Sequence, residues 1–218
     1  MTAGAGETVL LAAERQQVAD YCRRMRADRL VVGTSGNLSA RSGDLVAVSP
    51  SGLDYDELTA ALVGVHRADS GAPVEAPRGP TTELPMHLAI YRHTGAGAIV
   101  HTHSTAATAV STLVDELPPI HYLIAMFGGG VRVAGYATYG SDELAGQVSA
   151  ALAGRTGCLL ANHGAVTIGD TLGEAYRRAE YLEWLCEVWL RASARGAPRL
   201  LPPDEIDRVA AKLAGYGR

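Results

Sequence analysis

Residues 98–104, AIVHTHS, place two histidines at the end of a short apolar run. The apolar residues predict a buried strand, and residues i and i+2 of a strand point to the same face of the sheet. His101 and His103 are therefore expected side by side where the strand ends. Two imidazoles on one face can share a metal ion, but two half-buried histidines that donate to backbone carbonyls fit the same spacing.

Composition narrows the class of protein. The 218 residues suffice for one large domain or two small ones, and 47% are hydrophobic and 19% charged, as in a soluble globular protein. The formal charge of −4 gives no general attraction to nucleic acid or to an anionic membrane, so a phosphate ligand would need a local site. No stretch has the apolar length of a membrane span, and the N-terminus lacks the basic start of a secretory signal. Cys22, Cys158 and Cys186 form no CxxC pair, so we expect free thiols in a reducing compartment, the cytoplasm.

Helical and strand patterns are mixed along the chain, without an internal repeat. Helices are predicted over residues 7–29, after a cap at Thr81 or Thr82, after Ser104 and Ser141 as caps, over residues 171–196, and from Pro202 onward. Strands are predicted in TSGNLSAR, DLVAVSPSG, AGAIVHTHS and VRVAGYA, and on both sides of the turn in GCLLANHGAVTIG. This mixture predicts a single layered α/β domain over residues 1–218.

A third histidine ligand would support a metal site. His163 lies in LLANHGAV, where an apolar strand breaks at a glycine, and a turn after a strand can hold a side chain toward a site. The other candidates are weaker. His66 is expected at an exposed strand end, and His87 and His93 stand six apart on a predicted helix and do not share a face. These three are interpreted as packing or surface residues.

Glu83 marks a candidate anion-binding site, because it lies in the first turn of a predicted helix, directly after Thr81 and Thr82. Free backbone N–H groups and the positive end of the helix dipole suit a phosphate there. An ordinary helix cap with a favourable first-turn carboxylate fits equally well. The turns GTSGNLSAR and SPSGLDY share this ambiguity, since such turns bind anions or simply reverse the chain.

Four features occur in order: TSGNLSAR; SPSG followed by LDYDEL; TTELPMHLAIY followed by VHTHS; and LLANHG. With them the chain resembles the class II aldolase/adducin family over nearly its whole length. Within that family it is most similar to the L-fuculose-1-phosphate aldolases, which LPPIHYLIAMFGG and YATYGSDELA also resemble. Glu83 precedes His101 by 18 residues, and His103 precedes His163 by 60, as the family has them. The resemblance implies a three-layer α/β/α domain with a central, mostly antiparallel sheet.

The resemblance also implies a site. His101, His103 and His163 would hold a zinc ion, and Glu83 would act as the catalytic acid/base and as a further zinc ligand before substrate arrives. Positions that match the family's phosphate site are Gly36, Asn37, Ser51, Gly52, Thr81 and Thr82. Tyr122 matches a catalytic tyrosine that reaches a neighbouring subunit's site and handles the aldehyde oxygen, and Tyr216 matches a C-terminal tyrosine that covers the substrate. A cyclic homotetramer with sites between subunits is implied.

The implied reaction is reversible cleavage of L-fuculose 1-phosphate, or a related ketose 1-phosphate, to dihydroxyacetone phosphate and L-lactaldehyde. A lysine Schiff base is not expected, because the only lysine is Lys212 near the C-terminus. Alternatives on the same site are a 5-deoxyribulose-1-phosphate aldolase, an L-ribulose-5-phosphate 4-epimerase and a methylthioribulose-1-phosphate dehydratase. The epimerase typically carries Asp at the Glu83 position, and a non-catalytic adducin-type interaction module usually lacks the histidines. Two departures, Asn162 for a second histidine and Tyr139 for a phenylalanine, leave the metal site intact, and Tyr139 bears on which aldehyde fits.

Overall fold

The computed structural model describes residues 9–215. Within them the helices are α1 (Ala12–Ala27), α2 (Leu84–His93), α3 (Thr105–Ser111), α4 (Asp142–Ala151), α5 (Leu172–Ser193) and α6 (Pro203–Leu213). The strands are β1 (Asn37–Ser42), β2 (Leu45–Val48), β3 (Gly64–Arg67), β4 (Pro73–Glu75), β5 (Ala98–Thr102), β6 (Glu116–Leu117), β7 (Val131–Ala134), β8 (Gly157–Leu160) and β9 (Gly164–Gly169). Two short 3₁₀ segments cover Ala60–Leu62 and Tyr122–Phe127.

All nine described strands form one sheet in the order β4-β3-β2-β1-β5-β9-β8-β7-β6. Every pairing is antiparallel except the one between β7 and β8. The expected mostly antiparallel sheet is confirmed. Strand β5 lies at its centre, with Asn37 of β1 opposite His101 on one side and Val166 of β9 opposite His101 on the other.

Helices cover both faces of the sheet, which gives the expected three layers. On one face, α2 and α4 pack on alternate strand residues such as Ile99 and Val166. On the other face, α1 and the first half of α5 pack on Val100 and its neighbours, and α3, α6 and the rest of α5 enclose a further apolar cluster. His101 is two residues from Ile99 and therefore faces the α2 layer.

Three local predictions need correction. The helix predicted over residues 7–29 begins only at Ala12, after Leu11 in the left-handed conformation, and residues 7 and 8 lie outside the described part of the chain. Helix α2 has Glu83 at the N-cap position, without a side-chain cap, instead of Thr81 or Thr82. Ser104 is the N-cap residue of α3 but makes no capping bond, and the carboxylate of Glu183 accepts from the first N–H groups of that helix instead.

Other sequence expectations are met. Ser141 caps α4 through the N–H of Leu144, and the three cysteines are free and buried. Among the helices of residues 9–215, none combines the length and the apolar character needed to cross a bilayer. His66, however, is only 2% exposed, so its predicted place at an exposed strand end is wrong.

Candidate active site

The strands bring together histidines that are distant in sequence. His101 ends the buried run of β5, and His163 lies in the turn from β8 to β9, beside Asn162 in the left-handed conformation. Gly164 makes the approach possible, because a Cβ atom there would lie 2.1 Å from the carbonyl oxygen of Thr102. Only glycine lets β9 start this close to the end of β5, and this contact carries His163 to His103.

Three imidazole nitrogens converge at this point. The Nε2 atom of His103 lies 2.9 Å from Nε2 of His101 and 3.1 Å from Nε2 of His163. The three rings stand nearly edge to face, with centroids 4.7–4.9 Å apart. With one carboxylate oxygen of Glu83, the ligand atoms all lie within 4.8 Å of one another.

The donor set fits a divalent cation. The Nδ1–H of His101 donates to the carbonyl oxygen of Ala165 at 3.0 Å, which directs Nε2 toward the centre. The carboxylate oxygen Oε2 of Glu83 lies 2.7 Å from that nitrogen, and Oε1 is buried without a hydrogen-bond partner, 3.5 Å from Nε2 of His163. In tetrahedral zinc sites with bonds of about 2.0–2.1 Å, ligand atoms lie about 3.3 Å apart, close to the separations here. A bound cation would satisfy all four residues at once.

Electrostatics favours the ligand forms of His103, His163 and Glu83. Burial, reinforced by the charge on His101, lowers the pKa of His103 to about 3 and that of His163 to about 4, so both rings are neutral near pH 7. Burial opposes ionisation of Glu83, but His101 outweighs it and holds the pKa of Glu83 well below its usual range. Burial likewise lowers the pKa of His101, and the carboxylate of Glu83 raises it overall. The two shifts together favour a proton shared by His101 and Glu83 in the metal-free protein, and a bound cation would replace that proton.

A cleft of about 330 Å³ opens beside the imidazoles. Every predicted phosphate residue lines it: Gly36, Asn37, Ser51, Gly52, Thr81 and Thr82. Thr81 is buried and accepts from the N–H of Glu83, whereas Thr82 and Ser51 are exposed to the cleft. The loop residues predicted for the phosphate thus share one space with Glu83, His103 and His163.

The other site predictions fall elsewhere. Tyr122 is 48% exposed and does not line the cleft of its own chain; its ring stacks on His121, which packs on Trp184. Tyr216 lies outside the described residues. Sequence reasoning missed Thr34, Ser35 and Tyr136, which also line the cleft. The turn GTSGN contains the first two, and Tyr136 lies near the end of the predicted strand VRVAGYA and begins YATYGSDELA, a segment that the resemblance includes without indicating a role for this residue.

Comparison with known proteins agrees with this geometry. The family model of the class II aldolase and adducin N-terminal domain matches residues 16–190. The chain is 39% identical to the 5-deoxy-D-ribulose 1-phosphate aldolase of Bacillus thuringiensis serovar kurstaki, over 96% of this chain and 100% of the relative. It is 38% identical to a 5-methylthioribulose-1-phosphate/5-deoxyribulose-1-phosphate aldolase of Rhodospirillum rubrum, over 93% and 92% of the two chains. A solved structure of an L-fuculose 1-phosphate aldolase superposes with a TM-score of 0.91 at 36% identity, over 94% of this chain and 98% of that one. The chain therefore belongs to the class II aldolase and adducin family, and it is one of the family's metal-dependent lyases.

Proposed function

We propose that the protein is a zinc-dependent aldolase that reversibly cleaves a ketose 1-phosphate to dihydroxyacetone phosphate and a short aldehyde. One observation carries the proposal: Nε2 of His103 lies 2.9 Å and 3.1 Å from the Nε2 atoms of His101 and His163, and this group faces the carboxylate of Glu83 at the wall of a cleft with polar loops. Three histidine ligands that leave a position open are typical of catalytic zinc.

The chain's own residues account for the proton and phosphate chemistry. The zinc ion would act as a Lewis acid toward the oxygens of the substrate's C1–C3 portion. In the direction of synthesis, the carboxylate of Glu83 removes a proton from C3. In cleavage, Glu83 first takes up a proton from solvent, which balances the proton that the C4 hydroxyl releases, and gives it to C3 when the C3–C4 bond has broken. Thr81 and Thr82 precede Glu83 directly, so a phosphate held by their hydroxyls is tethered beside the base. Such tethering supplies several kcal/mol by fixing orientation.

Two substrates are candidates. L-Fuculose 1-phosphate would release L-lactaldehyde, and 5-deoxyribulose 1-phosphate would release acetaldehyde, since its C4 and C5 are an alcohol carbon and a methyl group. Both aldehydes are small and end in a methyl group. The identity of 39% over the full length of the Bacillus enzyme favours 5-deoxyribulose 1-phosphate. Tyr136 and Tyr139 stand at the cleft, each 66% exposed, and would contact the aldehyde end.

The assembly is part of the proposal. Tyr122 lies away from the cleft of its own chain, as a residue that serves a neighbouring subunit must. With Trp184, 41% exposed, it forms an exposed aromatic surface that suits a subunit contact. We infer a cytoplasmic homotetramer in which Tyr122 accepts the proton of the C4 hydroxyl during cleavage, and in which Tyr216 covers the substrate.

The experiment is product analysis on the zinc-loaded protein. Each ketose 1-phosphate is offered separately, and dihydroxyacetone phosphate is measured by its coupled reduction with NADH. We expect release from at least one substrate, and loss of release after chelation with recovery on zinc. A dehydratase would instead release water and keep the carbon chain, and an epimerase would return an isomeric pentulose phosphate. Absence of dihydroxyacetone phosphate from both substrates would refute the proposal.

A further inference from the structure

A line of buried hydrogen bonds runs from the core to the carboxylate of Glu83. The amide nitrogen Nδ2 of Asn37 donates to Oε2 of Glu83 at 3.2 Å, and Oδ1 of Asn37 lies 2.6 Å from Nε2 of His87. On the other side of the ring, Nδ1 of His87 lies 2.7 Å from Oγ of Ser39, which lies 2.8 Å from the hydroxyl of Tyr91. Each of these five side chains belongs to a residue no more than 4% exposed.

The direction of every bond in this line follows from its last member. The carboxylate of Glu83 can only accept, so Asn37 must donate through Nδ2 and turn Oδ1 toward His87. His87 must then donate through Nε2–H, which leaves Nδ1 to accept from the hydroxyl of Ser39. The oxygen of Ser39 accepts in turn from the hydroxyl of Tyr91. A neutral His87 satisfies the whole line, and complete burial keeps it neutral by lowering its pKa to about 3.

We propose that His87 is a positioning residue for the aldolase reaction: its Nε2–H fixes the amide of Asn37, and the amide holds the carboxylate of Glu83 in place beside the imidazoles. This inference rests on the proposed function for its kinetic consequence. Without the donor at Nε2, the amide of Asn37 would be free to turn over and present its oxygen to the carboxylate. Two acceptors would then face each other in a buried site, and Glu83 would shift from its position.

Two substitutions separate positioning from packing. The amide of a glutamine reaches the place of imidazole Nε2, whereas that of an asparagine reaches the place of Nδ1. His87→Gln therefore keeps the donor to Asn37, and His87→Asn keeps only the contact to Ser39. Both variants remove the ring, and His87→Asn leaves one methylene more of empty volume, so a packing role alone predicts a difference in thermal stability without a matching difference in metal affinity.

The first readout needs no substrate. Metal-free protein is titrated with Co²⁺ and followed by visible absorption, with thermal unfolding as the check on folding. Mutation of a residue that orients a metal ligand typically lowers metal affinity or activity by about 10–100-fold. We expect a loss of about tenfold or more in Co²⁺ affinity for His87→Asn, and affinity within about threefold of wild type for His87→Gln. Equal affinities in the two folded variants would overturn the proposal.

The second readout is kinetic and follows the substrate that the wild type cleaves. We expect His87→Asn to lower kcat by about 10–100-fold with KM nearly unchanged, and His87→Gln to restore most of kcat. If the wild type cleaves neither substrate, the proposed function fails and the Co²⁺ titration still decides the role of His87. If His87→Asn does not fold, His87→Leu takes its place, because leucine is similar in volume to histidine and offers no donor to Asn37. A folded His87→Leu with wild-type Co²⁺ affinity and kcat would overturn the proposal.

Discussion

The Nε2 atoms of His103 and His163 lie 3.1 Å apart although 60 residues separate them in sequence. Both rings are neutral at neutral pH, because burial lowers the pKa of His103 to about 3 and that of His163 to about 4, so each ring keeps one N–H and one lone pair. Facing nitrogen atoms at this distance are stable when a cation joins them or when a single N–H points from one to the other. The third imidazole and the unpartnered oxygen of Glu83 favour the cation.

Replacement of His103 by alanine tests the metal site directly. We expect His103→Ala to lose its bound zinc, because two imidazoles and a carboxylate bind zinc far more weakly than the complete set. Elemental analysis after dialysis gives the zinc content per chain. His93→Ala is the matched control, since His93 is exposed at the end of α2. Full zinc occupancy in His103→Ala would exclude His103 as a ligand.

Glu83→Gln separates catalysis from metal binding. The amide keeps the size of the side chain but cannot take a proton from C3, and general acid–base groups contribute about 10²–10⁴-fold to rates. We expect kcat to fall by about that factor while zinc remains bound to the three histidines. Glu143→Gln, an exposed change in the first turn of α4, serves as the control. Unchanged turnover would remove Glu83 from the mechanism.

Thr82 tests the phosphate site. Thr82 is exposed to the cleft next to Glu83. A hydrogen bond from its hydroxyl to a charged phosphate would contribute about 1.5–3 kcal/mol to binding. We expect Thr82→Val to raise KM by about tenfold or more and to weaken competitive inhibition by inorganic phosphate in parallel. Thr112→Val, an exposed change at the C-cap of α3, is the comparison. Equal inhibition of both variants would place the phosphate elsewhere.

Much of the site could be predicted because it rests on local patterns. The alternation in AIVHTHS fixes the face of His101 and His103, and the break at Gly164 indicates the turn that carries His163. The layered fold also follows from the order of the helices and strands. These features depend on residues a few positions apart, where strand and turn geometry leave little choice.

The parts that could not be predicted depend on long-range packing. His87 looked like a packing residue, and its bond to Asn37 spans 50 positions. The cap of α3 comes from Glu183 of α5, 76 and 77 residues away, so Ser104 does not need to supply it. Local sequence patterns indicate whether a side chain can donate, accept or pack. The partner that it contacts depends on how the helices pack on the sheet.

Acid should destabilise the metal-free protein. Burial lowers the pKa of His87 and His103 to about 3 and that of His163 to about 4, whereas an unfolded histidine titrates near 6.5. The unfolded chain therefore binds more protons below about pH 6.5, and stability falls as the pH falls toward 4. The pKa of Glu83 is also lowered, so its contribution to stability is lost only at still lower pH. The pKa of His101 is raised, so its contribution to stability is complete below about pH 6.5 and is lost as the pH rises above that value, which opposes the trend there.

Urea unfolding in the presence of a chelator measures this dependence. We expect the free energy of unfolding to decrease between pH 7 and pH 5, and the decrease to be smaller in His87→Gln, which removes one buried neutral histidine. A single such group contributes a slope of up to about 1.4 kcal/mol per pH unit. Identical slopes for wild type and variant would show that His87 titrates normally in the folded protein.

In the proposed homotetramer, Tyr122 and Glu83 act in one site from two subunits. We expect Tyr122→Phe and Glu83→Gln to be nearly inactive as separate homotetramers, because each lacks one proton-transfer group at every site. Co-expression with different affinity tags gives mixed tetramers, in which some sites combine an intact Glu83 with an intact Tyr122 of the next subunit. Random mixing around a ring restores about one quarter of wild-type activity per tetramer. If Tyr122 served the site of its own chain, every mixed site would lack one of the two groups, and mixing would restore nothing.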